Sequence, residues 1–158
     1  ALAVIARLDA ADPHARRLRA TLHLRLGEPA AAQAALAGLH APADELLSAQ
    51  AALALGDAAA AGAALSAARN GGVAEAELLP VEGALALLTG DARRGRDLLA
   101  GLVARRDTTL RWTTAFDLGL CELQLGDLDA ARGAFAVANT LCGGCAPAQR
   151  NLDALSAP

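Results

Sequence analysis

An all-helical chain made of repeated helix pairs is what this sequence predicts, on three observations. Alanine supplies roughly a quarter of the 158 residues, and alanine is both the best helix former and small enough to let helices approach closely. Aromatic residues make up only 2% of the chain, and few windows show the β-branched and aromatic alternation that strands need. Finally, a glycine followed by an acid recurs as Gly27-Glu28, Gly56-Asp57, Gly90-Asp91 and Gly126-Asp127, with the glycines 29, 34 and 36 residues apart. A period of about 34 belongs to arrays of helix-turn-helix units.

Each pair sits where one long amphipathic helix would otherwise continue. In ELQLGDLDAARGAF, leucines 123, 125 and 128 flank Gly126-Asp127, and Ala131, Phe135 and Ala138 resume a spacing of three and four beyond it. Glycine can take the left-handed conformation that closes a helix, and the acid after it can accept from the free N–H groups of the next one. Glu28 caps less well than aspartate, but Pro29 behind it suits a first helical turn. Counting from each glycine, the seventh residue before it is Ala20, Ala49, Gly83 or Gly119, and the fifth after it is Ala32, Ala61, Gly95 or Ala131. All eight are small. The ninth residue after it is Leu36, Leu65, Leu99 or Phe135, bulky in every copy. Small residues let the two helices cross closely, and the ninth-place side chain is expected to fill the gap between them and the next unit.

From Thr113 to Cys142 this pattern resembles the tetratricopeptide repeat family. The segment TAFDLGLCELQLGDLDAARGAFAVANTL carries the family's Leu-Gly pair as Leu118-Gly119, its turn as Gly126-Asp127, and its second-helix Ala, aromatic and Ala as Ala131, Phe135 and Ala138. The three earlier units depart from it: Arg19, Ser48 and Glu82 stand where leucine belongs, and the first-helix aromatic is missing. The resemblance implies an all-α fold, a right-handed α-solenoid of antiparallel helix pairs, in a single domain over 1–158.

In chain order, residues 1–10 then form the second helix of a preceding, partial unit. Repeats follow at about 13–40, 42–71, 74–107 and 110–144, and a capping helix at 146–157 covers the apolar face of the last repeat. Asn70-Gly71-Gly72 and Arg106-Asp107-Thr108-Thr109 are the loops between repeats. ALAVIARLDA reads as helix from its first residue and the chain has no methionine, so sequence upstream is expected.

Composition excludes several functions. Every one of the 14 basic residues is arginine, yet acids outnumber them and the net charge is −3, so nucleic acid is not the expected partner. No apolar run approaches the roughly 18 residues that span a bilayer. His14, His23 and His40 are scattered without metal-ligand spacing, and no phosphate loop, nucleophile elbow or dinucleotide fingerprint is present. No enzyme activity, cofactor or metal is expected. The arginines at 16, 17, 19 and 25, and at 93, 94 and 96, serve as solvated faces of an alanine-rich chain unless they line a binding surface. Cys121 falls on a first helix and reads as a small buried apolar residue.

Cys142-Gly143-Gly144-Cys145 is the one constellation with intrinsic reactivity. It lacks the second pair or the histidines of a structural zinc site, and a thioredoxin-like role would want a strand before the helix. A disulfide between Cys142 and Cys145, bracing the turn into the last helix, is the leading reading; free thiols or a redox or metal module are the others. The compartment is otherwise unknown, and a disulfide would favour the periplasm over the cytoplasm.

In the family, first helices line a concave groove that binds extended peptides or a partner helix. On that mapping the groove starts at a basic end with Arg17, Thr21, Leu24 and Arg25. It continues through Leu46, Gln50 and Leu53, then Ala84, Leu87 and Leu88, and ends with Phe116, Leu120 and Leu123. The Lys and Asn set of the family's carboxylate-binding members is not reproduced. The expectation is a non-enzymatic interaction scaffold holding a mostly apolar protein or peptide segment, with an acidic end, within a larger complex. Arginine without lysine and abundant alanine suggest a GC-rich bacterial genome, and a cell-envelope assembly is one home for the family. The alternatives are a structural or oligomerising segment of a larger protein, and a redox or metal module built on CGGC.

Overall fold

A computed structural model describes residues 11–105 and 110–156, and their regular structure is entirely helical. Nine helices lie among the described residues: α1 (Pro13–Arg25), α2 (Pro29–Leu36), α3 (Pro42–Ala54), α4 (Ala58–Asn70), α5 (Glu75–Leu88), α6 (Ala92–Arg105), α7 (Trp112–Leu125), α8 (Leu128–Leu141) and α9 (Ala146–Ser156). Each of the four expected repeat spans holds two helices joined by a short turn. The helix expected at 1–10 and the loop expected at 106–109 lie outside the described residues.

Local chemistry accounts for the helix starts. The Asp12 carboxylate accepts from the amides of His14 and Ala15, both at 3.1 Å, ahead of Pro13 at the first position of α1. Pro29 and Pro42 open α2 and α3, where a missing N–H costs nothing. Asp57, Asp91 and Asp127 each accept from the amide three residues on, at 2.9, 3.1 and 3.0 Å. Glu28 makes no such bond; its carboxylate lies 2.7 Å from His23 Nδ1.

The four turns are the same turn. Gly27, Gly56, Gly90 and Gly126 all have φ between 73° and 82°. The acid after each glycine donates its N–H to the carbonyl five residues back, at 2.8–3.0 Å, in the pairs Glu28–His23, Asp57–Ala52, Asp91–Ala86 and Asp127–Glu122. Each glycine amide donates to the carbonyl three residues back. This doubly bonded closure satisfies carbonyls that a helix end leaves open, and it turns the chain back at once. Gly143 and Gly144 repeat it at the end of α8, where the Gly144 amide donates to Asn139 O at 2.8 Å.

The chain divides into two compact units, Ala1–Val81 and Glu82–Pro158, with the division inside α5. In the first, α1 packs on α2, α2 on α3 and α3 on α4, and α1 also touches α3. Its core includes Ala20, Ala32, Leu36 and Ala51, with Leu24, Leu39 and Leu47 against them. In the second unit α6 packs on α7, α7 on α8, and α8 on α9. There Leu99, Val103, Ala115, Leu118, Ala134, Ala138 and Ala148 form one cluster.

The small-to-bulky register has a direct geometric meaning in the second unit. A Cβ on Gly119 would lie 2.6 Å from Phe135 Cε1, and one on Gly83 would lie 2.3 Å from Leu99 Cδ2. The ninth-place side chain therefore occupies the space left by the small residue of its own repeat. Leu99 reaches onward as well, sharing a cluster with Ala115 and Leu118 of α7. Gly95 meets the next repeat in the same way, its missing Cβ leaving room for Cys121 Sγ.

Candidate functional site

In the first unit, the first-helix positions of repeats one and two do not all face solvent. Arg17 and Thr21 are half-buried on α1, Leu24 packs on the Ala20–Leu36 cluster, and Arg25 is exposed in the last turn. Leu46 is buried on α3, while Gln50 and Leu53 are half-buried.

At the basic end expected there, Arg17 is paired within the chain. Arg17 Nε donates to Asp44 Oδ1 at 2.5 Å and Arg17 Nη2 to Asp44 Oδ2 at 3.0 Å, a two-pronged pair between α1 and α3. Asp44 is only 1% exposed, so its carboxylate depends on this partner. The hydrogen bond that Arg17 donates to Asp44 holds the guanidinium above its ordinary range, against the opposing effect of desolvation. The Thr21 hydroxyl donates to Arg17 O at 3.0 Å, spending its proton on its own helix. Arg16 also turns inward, donating to the carbonyls of Ala35 and Ala37. Arg17 is thus matched by a carboxylate within the chain, while Arg25 of the same end stays exposed.

A shallow depression of about 480 Å³ opens beside this pair, lined by Arg17, Pro42, Leu46, Gly71, Val73 and Glu77 among others. Its walls are mostly apolar, and Arg17 and Glu77 are their charged members. No nucleophile lies among them.

In the second unit, Ala84 and Leu87 of α5 are half-buried and Leu88 is exposed. Phe116 and Leu120 of α7 are half-buried and Leu123 is exposed. Phe116 serves packing as well as surface: its ring meets Trp112 edge-on at 5.9 Å and tilts against Phe135 at 5.4 Å.

Asp117 is the residue that sequence reasoning passed over. It follows Phe116 on the half-buried face of α7, and burial pushes its carboxyl up to about 7. The signal was present as a lone acid in the otherwise apolar series Phe116, Leu120 and Leu123. One turn on, Cys121 is fully buried, and desolvation with the nearby charges of Asp117 and Glu122 pushes its thiol up to about 11. A thiol held that high is not a thiolate nucleophile at neutral pH. Glu122 is buried too, and desolvation raises it while Arg96 opposes the shift.

Cys142 and Cys145 are joined in a disulfide across the turn between α8 and α9. His23 and His40 each lie beside a glutamate five residues on, Glu28 and Glu45, and His14 is exposed. Among the described residues, no three of His, Cys, Asp and Glu are grouped so as to hold a metal ion, and no helix is long and apolar enough to cross a membrane. Comparison with known proteins finds no matching family model, no matching curated protein and no matching solved structure.

Proposed function

We propose that this chain is a non-enzymatic interaction scaffold of the tetratricopeptide-repeat kind, a right-handed solenoid whose first helices line a groove for a partner segment. One observation carries the reading: the first helix of a repeat keeps large apolar side chains only partly covered, beyond what packing inside the repeat uses. In the second unit Leu87, Leu88, Leu120 and Leu123 remain half-buried or exposed, while the facing side of α7 buries Ala115, Leu118 and Cys121 completely or nearly so. In the first unit Leu53 plays the same part, beside Gln50. Apolar surface left over in this way is what a bound segment covers. The fourfold turn supports the repeat reading, because one closure copied four times builds one supersecondary unit four times.

The partner segment is mostly apolar, and helical or extended. With Arg17 matched by Asp44, an acidic end of that segment would face the exposed Arg25. The assembly is a larger, bacterial one, the cell envelope being its proposed setting.

A Leu53→Glu, Leu87→Glu double variant tests this. Helicity by circular dichroism should persist, and capture of partners from a lysate of the source organism, read by mass spectrometry, should be lost. Undiminished capture sinks the groove. Capture of nothing by either protein, together with concentration-dependent self-association that both variants share, selects the structural or oligomerising reading instead.

A further inference from the structure

The CGGC segment is a second functional element, independent of the groove. Its two glycines form the helix-closing turn already seen four times, so the disulfide spans a turn that needs no covalent brace to form. What the bond does add is an attachment for α9. Cys142 ends α8, its amide donating to Ala138 O at 3.0 Å. Cys145 begins α9, its carbonyl accepting the Gln149 amide at 3.1 Å as the first rung of that helix. The bond therefore clamps the residue just after α8 to the residue just before α9.

Among the described residues, α9 packs chiefly on α8. It has 11 residues, a length at which an isolated helix is marginal, and it fully buries one side chain, Ala148, with Pro147, Asn151, Leu152 and Leu155 half-buried. Beside that packing, Asn139 Nδ2 donates to Gln149 Oε1 at 3.1 Å and Arg132 Nη2 donates to Leu155 O at 2.7 Å, both at exposed positions. The half-buried cysteines themselves pack on the cluster that holds Ala148. The sulfur pair is thus part of the docking surface as well as its lock.

The chemistry favours reversibility. The Cys145 amide donates to Cys142 Sγ at 3.1 Å, at the amino end of α9, where backbone N–H groups and the helix dipole stabilise negative charge. A thiolate formed on Cys142 is a good leaving group for that reason. Gly143 and Gly144 between the cysteines are exposed and carry no side chain that would obstruct approach.

We propose that Cys142–Cys145 is a reversible redox staple that sets whether the C-terminal helix stays docked, with a dithiol as its reductant. A thiolate of the dithiol attacks Cys145 Sγ, the disulfide bond breaks, and Cys142 leaves as a thiolate. The dithiol's second sulfur, after losing its proton, attacks the mixed disulfide and expels Cys145. The dithiol ends as its own disulfide; two electrons have passed to the cysteine pair, and two protons return to the two thiols. Without the staple, Ala148 separates from Ala138 and its neighbours more often, and the apolar end of the last repeat becomes accessible.

Amide hydrogen exchange on the intact chain tests this, with dithiothreitol as the dithiol at pH 8 and iodoacetamide trapping to count free thiols. Reduction should release two alkylatable thiols and speed exchange across 146–156 by about tenfold or more, while the buried face of α7 and α8 keeps its protection. A Cys142→Ser, Cys145→Ser variant should show the fast α9 exchange with or without dithiothreitol, and reoxidation of the native protein should restore slow exchange. The proposal is overturned if the pair resists dithiothreitol, or if α9 exchanges at one rate in both redox states. It is equally overturned if α7 and α8 lose protection along with α9, because the bond would then brace the whole unit.

Discussion

Glycines in the middle of helices offer the sharpest test of the packing, because the structure assigns opposite signs to two that look alike in sequence. Gly119 of α7 and Gly133 of α8 both interrupt helical runs, and alanine is intrinsically better than glycine in a helix by roughly 1 kcal/mol. At Gly133 a Cβ would meet nothing within 4 Å, so Gly133→Ala should realise that gain, about 0.5–1 kcal/mol. At Gly119 a Cβ would lie 2.6, 2.7 and 2.9 Å from three atoms of the Phe135 ring, where carbon contacts rest at about 3.5–4.0 Å. The ring must retreat by about 1 Å, yet Phe135 is fully buried and Phe116 stands against it with centroids 5.4 Å apart. Overpacking of this kind costs about 1–3 kcal/mol, so after the propensity gain Gly119→Ala should destabilise by about 1–2 kcal/mol. Thermal unfolding should show a drop of roughly 2–8 °C for Gly119→Ala and a rise of roughly 1–4 °C for Gly133→Ala. The first unit supplies a rescue, since Ala20 and Leu36, and likewise Ala49 and Leu65, occupy the same two places and are all buried. Gly119→Ala with Phe135→Leu copies those pairs and should be more stable than the sum of the single changes, measured as a double-mutant cycle. If both glycine variants shift stability in the same direction, or the cycle shows no coupling, the proposed contact is not what selects the small residue.

Two further outcomes rest on buried charge. The folded-state pKa of Asp117 is raised to about 7, so the fold binds the proton more tightly than the unfolded chain, and stability should fall as pH rises from roughly 4 to 7. Asp117→Asn should therefore gain about 1–2 kcal/mol at pH 8, the partial exposure of the side chain moderating the full effect, and gain nothing at pH 4; urea denaturation at the two pH values checks it. Arg17→Met leaves Asp44 buried without its cation and should cost about 2–3 kcal/mol by the same assay, whereas Arg17→Met with Asp44→Leu should recover most of that loss.

What the sequence disclosed was whatever the chain encodes within a few residues. Gly126 followed by Asp127 specifies both a left-handed closure and a cap, so the turn and the limits of its two helices could be placed before any coordinates. Glu28 was foreseen as a weaker cap for the same local reason, its longer side chain reaching His23 instead. Long-range pairings left no such mark. Arg17 and Asp44 are 27 residues apart, and nothing near either one announces the other. Periodicity places Phe135 at the gap between its own two helices and the next unit but does not single out the neighbour that leaves it room; Gly119 of the same repeat does so. Asp117 was missed because a charge on a first helix reads as solvated until burial of its surroundings is known.

The two- or three-residue connections inside the four helix pairs bear on how the molecule comes into being. Closing so short a loop costs little chain entropy, and within each unit the packing is chiefly between helices adjacent in sequence. Low contact order of this kind goes with folding in microseconds to milliseconds. A ribosome that has released about thirty residues has already supplied one complete helix pair, turn included. Within each unit a later helix then finds the one before it already formed to condense on, so each unit can assemble in the order in which it is made.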